Sequence, residues 1–185
     1  LKMLKTNVGY SILNDSYQNG VETATKAKNG LNNPKVTLLF SSVLCEQEKL
    51  IEGVKSVVGP VPIVGCTSSS AIMVPDGIIT AETGYSGAMM LDDNDLKVGV
   101  AGMEKDGDAR KTGRKIALEA IKNSGTDVRP SYFYMVANPD EEESYLKGIQ
   151  DVIGRVPMFG GSAADDTVEG KWKIFCNDKV FSEGC

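Results

Sequence analysis

The stretch Gly65-Cys66-Thr67-Ser68-Ser69-Ser70 carries the densest set of groups that could do chemistry in this sequence. Small residues let a ligand approach the backbone, and hydroxyls with free N–H groups can hold a carboxylate or a phosphate. The same hydroxyls could instead satisfy local backbone groups in a tight turn. A related stretch, Gly160-Gly161-Ser162-Ala163-Ala164-Asp165-Asp166, lies 95 residues further on. Its two carboxylates could take up an amino group, act as acid and base, or cap a turn. The candidate ligand-binding residues are therefore Gly65, Cys66, Thr67, Ser68 and Ser69 with Gly160, Gly161, Ser162, Asp165 and Asp166. No Gly-Lys-Ser/Thr follows either stretch and no GxGxxG occurs, so neither is a Walker loop or a dinucleotide fingerprint.

Cys66 raises the question of a nucleophile. A thiol needs a base or a positive environment to become thiolate. The chain has no His, which removes His-based triads, imidazole metal sites and axial His haem ligands together. Only Lys, Arg or a helix N-terminus could activate Cys66, so it reads as a buried, inert thiol; an acyl-transfer enzyme is the alternative. Cys45, Cys66, Cys176 and Cys185 include no C-x-x-C pair, so a zinc site has little support. With ample core and no secretory signal, reduced thiols in a cytoplasm are expected. The acidic run 140–143 reads as complementing a helix N-terminus, and Arg110, Lys111, Arg114 and Lys115 as a solvated helix face.

The whole chain sets the frame. Its 185 residues are 41% apolar and 24% charged, ordinary globular usage for one domain. The net charge of −5 is the wrong sign for sequence-independent binding to nucleic acid or to an anionic membrane. No apolar run approaches ~18 residues, so no transmembrane helix is expected. Leu1 at one end and Cys185 directly after a strand-like 179–181 suggest part of a longer polypeptide.

Elements that would position these residues follow from periodicity. Residues 7–12 read as a strand, and Asp15 or Ser16 caps a helix with Tyr17, Val21, Ala24, Ala27 and Leu31 on one face. Residues 36–40 form a continuous apolar run, the signature of a strand buried on both faces. Leu50, Ile51, Val54 and Val57 stripe a second helix, followed by a strand at 61–64. Residues 77–80, 86–91 and 96–103 read as strands, the last two joined as a hairpin by Asp92–Asp95. Asp106 or Asp108 starts a helix through Lys122; 131–136 is a strand; Asp140 with Glu143 matches a capping box before a helix. Residues 156–159 form a strand, and 172–176 and 179–181 flank the turn Asn177-Asp178.

Sliding the chain by 95 residues places 48–70 on 143–165 without a gap, with seven of 23 positions identical. The pattern V-[VI]-G-x-V-P-x-x-G is shared. Each unit then reads as strand, helix, strand: a right-handed βαβ crossover with parallel strands. The expected fold is α/β, with two internally repeated βαβ units, about 36–103 and 131–185, each followed by an antiparallel hairpin, in mixed sheets flanked by helices. Ligands of open α/β sheets collect beyond the carboxyl ends of strands, where both copies carry glycine and small hydroxyl residues.

The run 61–68 followed by Pro75-Asp76-Gly77, the stretch 159–165 and the hairpin 175–181 resemble the N-terminal part of the FIST sensory domain. The resemblance covers nearly the whole chain. It departs from the family pattern where Ser69, Ser70 and Ala71 replace an acidic residue after the first turn. It implies an intracellular sensor of small molecules in signal transduction, with amino acids as proposed ligands, and it does not imply catalysis; no cofactor is expected. It also implies a C-terminal partner domain or an output protein. A ligand-free interaction scaffold stands as a further alternative.

Overall fold

The computed structural model describes residues 3–185. The order is β1 (Lys5–Ser11), α1 (Ser16–Lys28), β2 (Pro34–Ser41), α2 (Gln47–Val58), β3 (Ile63–Thr67), β4 (Ile72–Val74), β5 (Gly77–Ile79), β6 (Ser86–Asp92), α3 (Ala109–Ser124), β7 (Phe133–Ala137), α4 (Glu142–Ile153), β8 (Met158–Ser162), β9 (Ile174–Cys176) and β10 (Lys179–Phe181). The fold is α/β, as expected.

Six strands form one mixed sheet in the order β1-β6-β2-β3-β9-β10. β2 and β3 pair in parallel from Thr37 opposite Ile63 to Ser41 opposite Thr67, with α2 as the crossover. β7 and β8 pair in parallel from Phe133 opposite Met158 to Ala137 opposite Ser162, with α4 as the crossover. β4 and β5 form a separate hairpin.

Side-chain alternation along the strands sorts the core into three layers. Leu39, Ile63, Ala88, Met90 and Phe175 pack under α1 and α2 with Ala24, Leu50 and Val54. The opposite face, Val36, Leu38, Cys66, Ile174 and Cys176, packs against Val100, Val136 and Ala163. Behind these, Met135 and Ala137 meet Ala109, Ile116 and Ala117 of α3 and Tyr145 and Ile149 of α4. The outcome is helices, sheet, sheet, helices. Each helix pair crosses with backbones in close approach: a Cβ on Gly53 would lie 2.1 Å from the Tyr17 carbonyl, and one on Gly148 would lie 2.0 Å from the Arg110 carbonyl.

Caps follow the sequence in part. Asp15 accepts from the Gln18 N–H at 2.8 Å, and Asp108 accepts from the Lys111 N–H at 2.9 Å. The capping box expected at Asp140 and Glu143 does not form. Asp140 sits at φ 76°, α4 begins at Glu142, and Glu141 at its N-cap makes no side-chain cap bond.

Two further expectations are corrected. The hairpin joining 86–91 to 96–103 is absent, because β6 spends both edges on other strands. It pairs antiparallel with β1 along Lys5–Ser11 and with β2 along Pro34–Ser41. The Asp92 carboxylate accepts from the N–H groups of Asn32 and Asn33 at 2.6 and 2.8 Å and anchors the end of β6 there. The strands expected at 61–64 and 156–159 run further: Gly65, Cys66 and Thr67 are the last residues of β3, and Gly160, Gly161 and Ser162 the last of β8. Small side chains let the ladder to the parallel neighbour continue through them.

Candidate functional site

Beyond these strand ends the two small-residue stretches meet each other directly. Thr67 is fully buried, and its hydroxyl donates to the Ala164 carbonyl at 2.7 Å and accepts from the Lys173 N–H at 2.9 Å. The Ala164 N–H donates to the Thr67 carbonyl at 3.0 Å, and the Ser70 N–H donates to the Asp166 carboxylate at 2.6 Å. The Ser68 hydroxyl turns back to the Ala71 carbonyl at 2.9 Å, while Ser69 is exposed with its hydroxyl 3.3 Å from that of Ser70. The stretches are therefore bonded across their contact.

Asp165 organises the loop before β9. Its carboxylate accepts from the N–H groups of Thr167, Glu169 and Lys171, the last at 2.6 Å. Burial pushes the carboxyl up, but the N–H donors of this loop together outweigh it and hold it below the usual carboxylate range. Gly65 and Gly160 occupy matched tight places: a Cβ on either would lie 1.7 Å from a carbonyl of the neighbouring strand, that of Leu39 or of Met135.

A cleft of about 290 Å³ opens beside this contact, lined by Phe40, Cys66, Tyr134, Val136, Phe159, Gly160, Gly161 and Ser162. It takes up Cys66, Gly160, Gly161 and Ser162 from the sequence-derived set; Gly65, Thr67, Ser68, Ser69, Asp165 and Asp166 do not line it. β8 forms one wall with every residue exposed. Its ladder to β7 is framed by the Phe133 N–H on the Pro157 carbonyl and the Ala163 N–H on the Ala137 carbonyl. By strand parity the N–H and C=O groups of Met158, Gly160 and Ser162 then point away from β7, toward an edge that no described strand covers. Gly161 has open space where a Cβ would be.

Sequence reasoning missed Tyr134 and Glu142. The Tyr134 hydroxyl has no accessible surface and no hydrogen-bond partner in the protein. Burial, and secondarily nearby Cys66, push its ionisation far up, so it is a neutral donor. The Ser162 hydroxyl donates to the Glu142 carboxylate at the start of α4. Tyr134 read only as part of the strand 131–136 and Glu142 as part of an acidic run, and neither pattern reveals which face looks into a cleft. Burial pushes the Cys66 thiol up to about 12. Among the described residues no cluster of three or more His, Cys, Asp or Glu is placed to hold a metal ion. No helix among them is long and apolar enough to cross a membrane.

A mixed α/β domain with a small cleft at the carboxyl ends of parallel strands is a class in which small-molecule sites commonly arise. The FIST N domain family model matches residues 35–185, and the chain belongs to that family, whose members are sensory domains of signal-transduction proteins. No curated protein matches the chain.

Proposed function

We propose that this domain is a cytoplasmic input module that binds a small polar molecule, a free amino acid or another small carboxylate, in the cleft over β7 and β8. The observation that carries this reading is that Tyr134 lines the cleft while its hydroxyl lies covered and without a partner, so that a shift of the wall on binding would present it to the ligand. A buried hydroxyl without a partner costs about 1–3 kcal/mol, and a ligand oxygen would supply that partner. The outward N–H groups of Gly160 and Ser162 offer further donors to the same anion, and Glu142, bonded to the cleft residue Ser162, offers a counterpart for an ammonium group. This reassigns the ammonium role from Asp165 and Asp166, whose carboxylates are engaged with backbone N–H groups. The volume, about 290 Å³, suits a molecule at the small end of ligand sizes.

In this reading the domain does not catalyse. A thiol pushed to about 12 is neutral at physiological pH, and the chain has no His to serve as its base. The signal passes to a C-terminal partner domain or an output protein, and the net charge of −5 argues against nucleic acid as the partner. We also read the two halves as copies of one unit: α2 and α4, and likewise β3 and β8, lie 95 residues apart, and β4–β5 and β9–β10 lie 102 apart.

The test is a thermal-shift screen of free amino acids and small carboxylates. At one hundred times its Kd a ligand should stabilise the domain by about 2.7 kcal/mol. Tyr134→Phe should leave the free protein as stable or more so, yet abolish the shift. The reading fails if no compound shifts the melting, or if Tyr134→Phe shifts as the parent does.

A further inference from the structure

Residues 96–103 alternate like a strand but belong to no ladder. Val98 and Val100 join the core between the sheets, while Ala101 and Met103 join the core under α3 and α4. β7 alternates in the same way, with Tyr134 and Val136 on one side and Phe133, Met135 and Ala137 on the other. Among the described residues β7 pairs only with β8, and the segment's own bridge is Glu104 opposite Gly184.

One end of the space between these two walls is already filled. Met103 and Cys185 exchange N–H···O bonds of 3.0 and 3.3 Å, and the Asn138 N–H donates to the Gly184 carbonyl at 3.1 Å. A single backbone that bonds to both walls sets them two strand spacings apart there, roughly 9.5 Å.

The first half shows the same space occupied. β6 lies between β1 and β2, starting with Ser86 opposite Ser11, and the Ser42 N–H donates to the Tyr85 carbonyl at 2.9 Å. The flanking walls match too: Gly9 of β1 abuts the backbone of α1 at Ala27, and Gly99 abuts the backbone of α3 at Ala120.

We infer that the space between 96–103 and β7 is a strand-acceptor site, filled by one extended strand that enters at Cys185 and runs antiparallel to both walls. The inference rests on reading the two halves as copies. β6 sets the length at seven residues and the chemistry at small and apolar, Ser-Gly-Ala-Met-Met-Leu-Asp. Up to its last residue, where β6 carries Asp92, both faces of the strand must be uncharged, because one meets Val98, Val100, Tyr134 and Val136 and the other meets the core under α3 and α4. Cys185 already lies on the latter face. Parity fixes which groups would be captured. The N–H groups of Asn138 and Met103 point into the space, so those of Val136, Tyr134, Ala101 and Gly99 do as well.

The experiment extends the chain after Cys185, which holds the place of Ser86, with the six remaining residues of β6, Gly-Ala-Met-Met-Leu-Asp, beside the unextended chain and an extension carrying proline at its third and fifth positions. Hydrogen exchange at the amides of Tyr134, Val136, Gly99 and Ala101 should slow at least tenfold in the first extension alone. Unchanged exchange, or equal slowing with the proline extension, overturns the inference. So does slowing in the unextended chain that rises with protein concentration, which assigns the space to a second copy. Protection by the free hexapeptide but not by the joined one overturns entry at Cys185. The readout needs no ligand, so failure of the carboxylate screen leaves it intact.

Discussion

Replacing Thr67 by Val keeps the shape of a fully buried side chain and removes a single hydroxyl. That hydroxyl bridges the Ala164 carbonyl and the Lys173 N–H at 2.7 and 2.9 Å. Valine leaves two part-buried backbone groups without this partner, each costing up to about 1–3 kcal/mol. We expect a total of roughly 2–4 kcal/mol, less than the two maxima because loop 163–173 can shift slightly toward solvent. For a domain of this size that lowers the melting temperature by roughly 5–15 °C. Thr67→Ser keeps both bonds, loses one methyl group and should cost about 1 kcal/mol. Equilibrium urea unfolding of the three proteins, compared at a common m-value, reads the difference. The bonded partners lie 97 and 106 residues away in the chain, so the valine variant should also speed proteolysis of the 163–173 loop. A valine variant within about 0.5 kcal/mol of the parent, or a serine variant less stable than the valine one, would refute the reasoning that this hydroxyl ties the halves together.

Gly53→Ala should destabilise by about 2 kcal/mol in thermal unfolding even though alanine favours helix by about 1 kcal/mol, because its methyl carbon would collide with the Tyr17 carbonyl; a stabilised variant would contradict the close crossing of α1 and α2. Hydrogen bonds and charge from Arg110 and Arg114 hold the Asp151 carboxyl well below its usual range. Since the folded value is depressed, the stability this group contributes is present at neutral pH and lost as pH falls below about 4 through the folded value. Asp151→Asn should therefore melt lower than the parent at pH 7, with the two curves converging in strong acid; a constant difference down to the lowest pH would count against it. Cys66 should resist iodoacetamide at neutral pH until the protein unfolds, since its thiol is pushed up to about 12 and is 4% exposed; labelling of the native protein faster than free cysteine would restore the thiol enzyme.

Much of the architecture could be read from local pattern. The apolar run 36–40 and the stripes on α1, α2 and α4 mark elements that appear where expected. A period of 2 or 3.6 is written into consecutive residues, and so are Gly59 and Gly154, whose positive φ of 63° and 71° closes both helices. The two small-residue stretches were also legible as a pair, and they do come together.

Which strand lies beside which was decided by tertiary structure. Alternation in 86–91 and 96–103 suits a hairpin as well as it suits two separate places. The choice fell to burial, since β6 satisfies both its edges between β1 and β2 while Asp92 fastens its end. In the same way, nothing local says that β9 pairs with β3 across more than 100 residues. The site divided along the same line. Residue types announced a place rich in hydroxyls and glycine, but a hydroxyl that braces the fold and one that faces a cleft look alike in sequence. Thr67 is satisfied by Ala164 and Lys173, whereas Tyr134 is left without a partner, because hydrogen-bond satisfaction depends on groups that only folding brings within 3 Å.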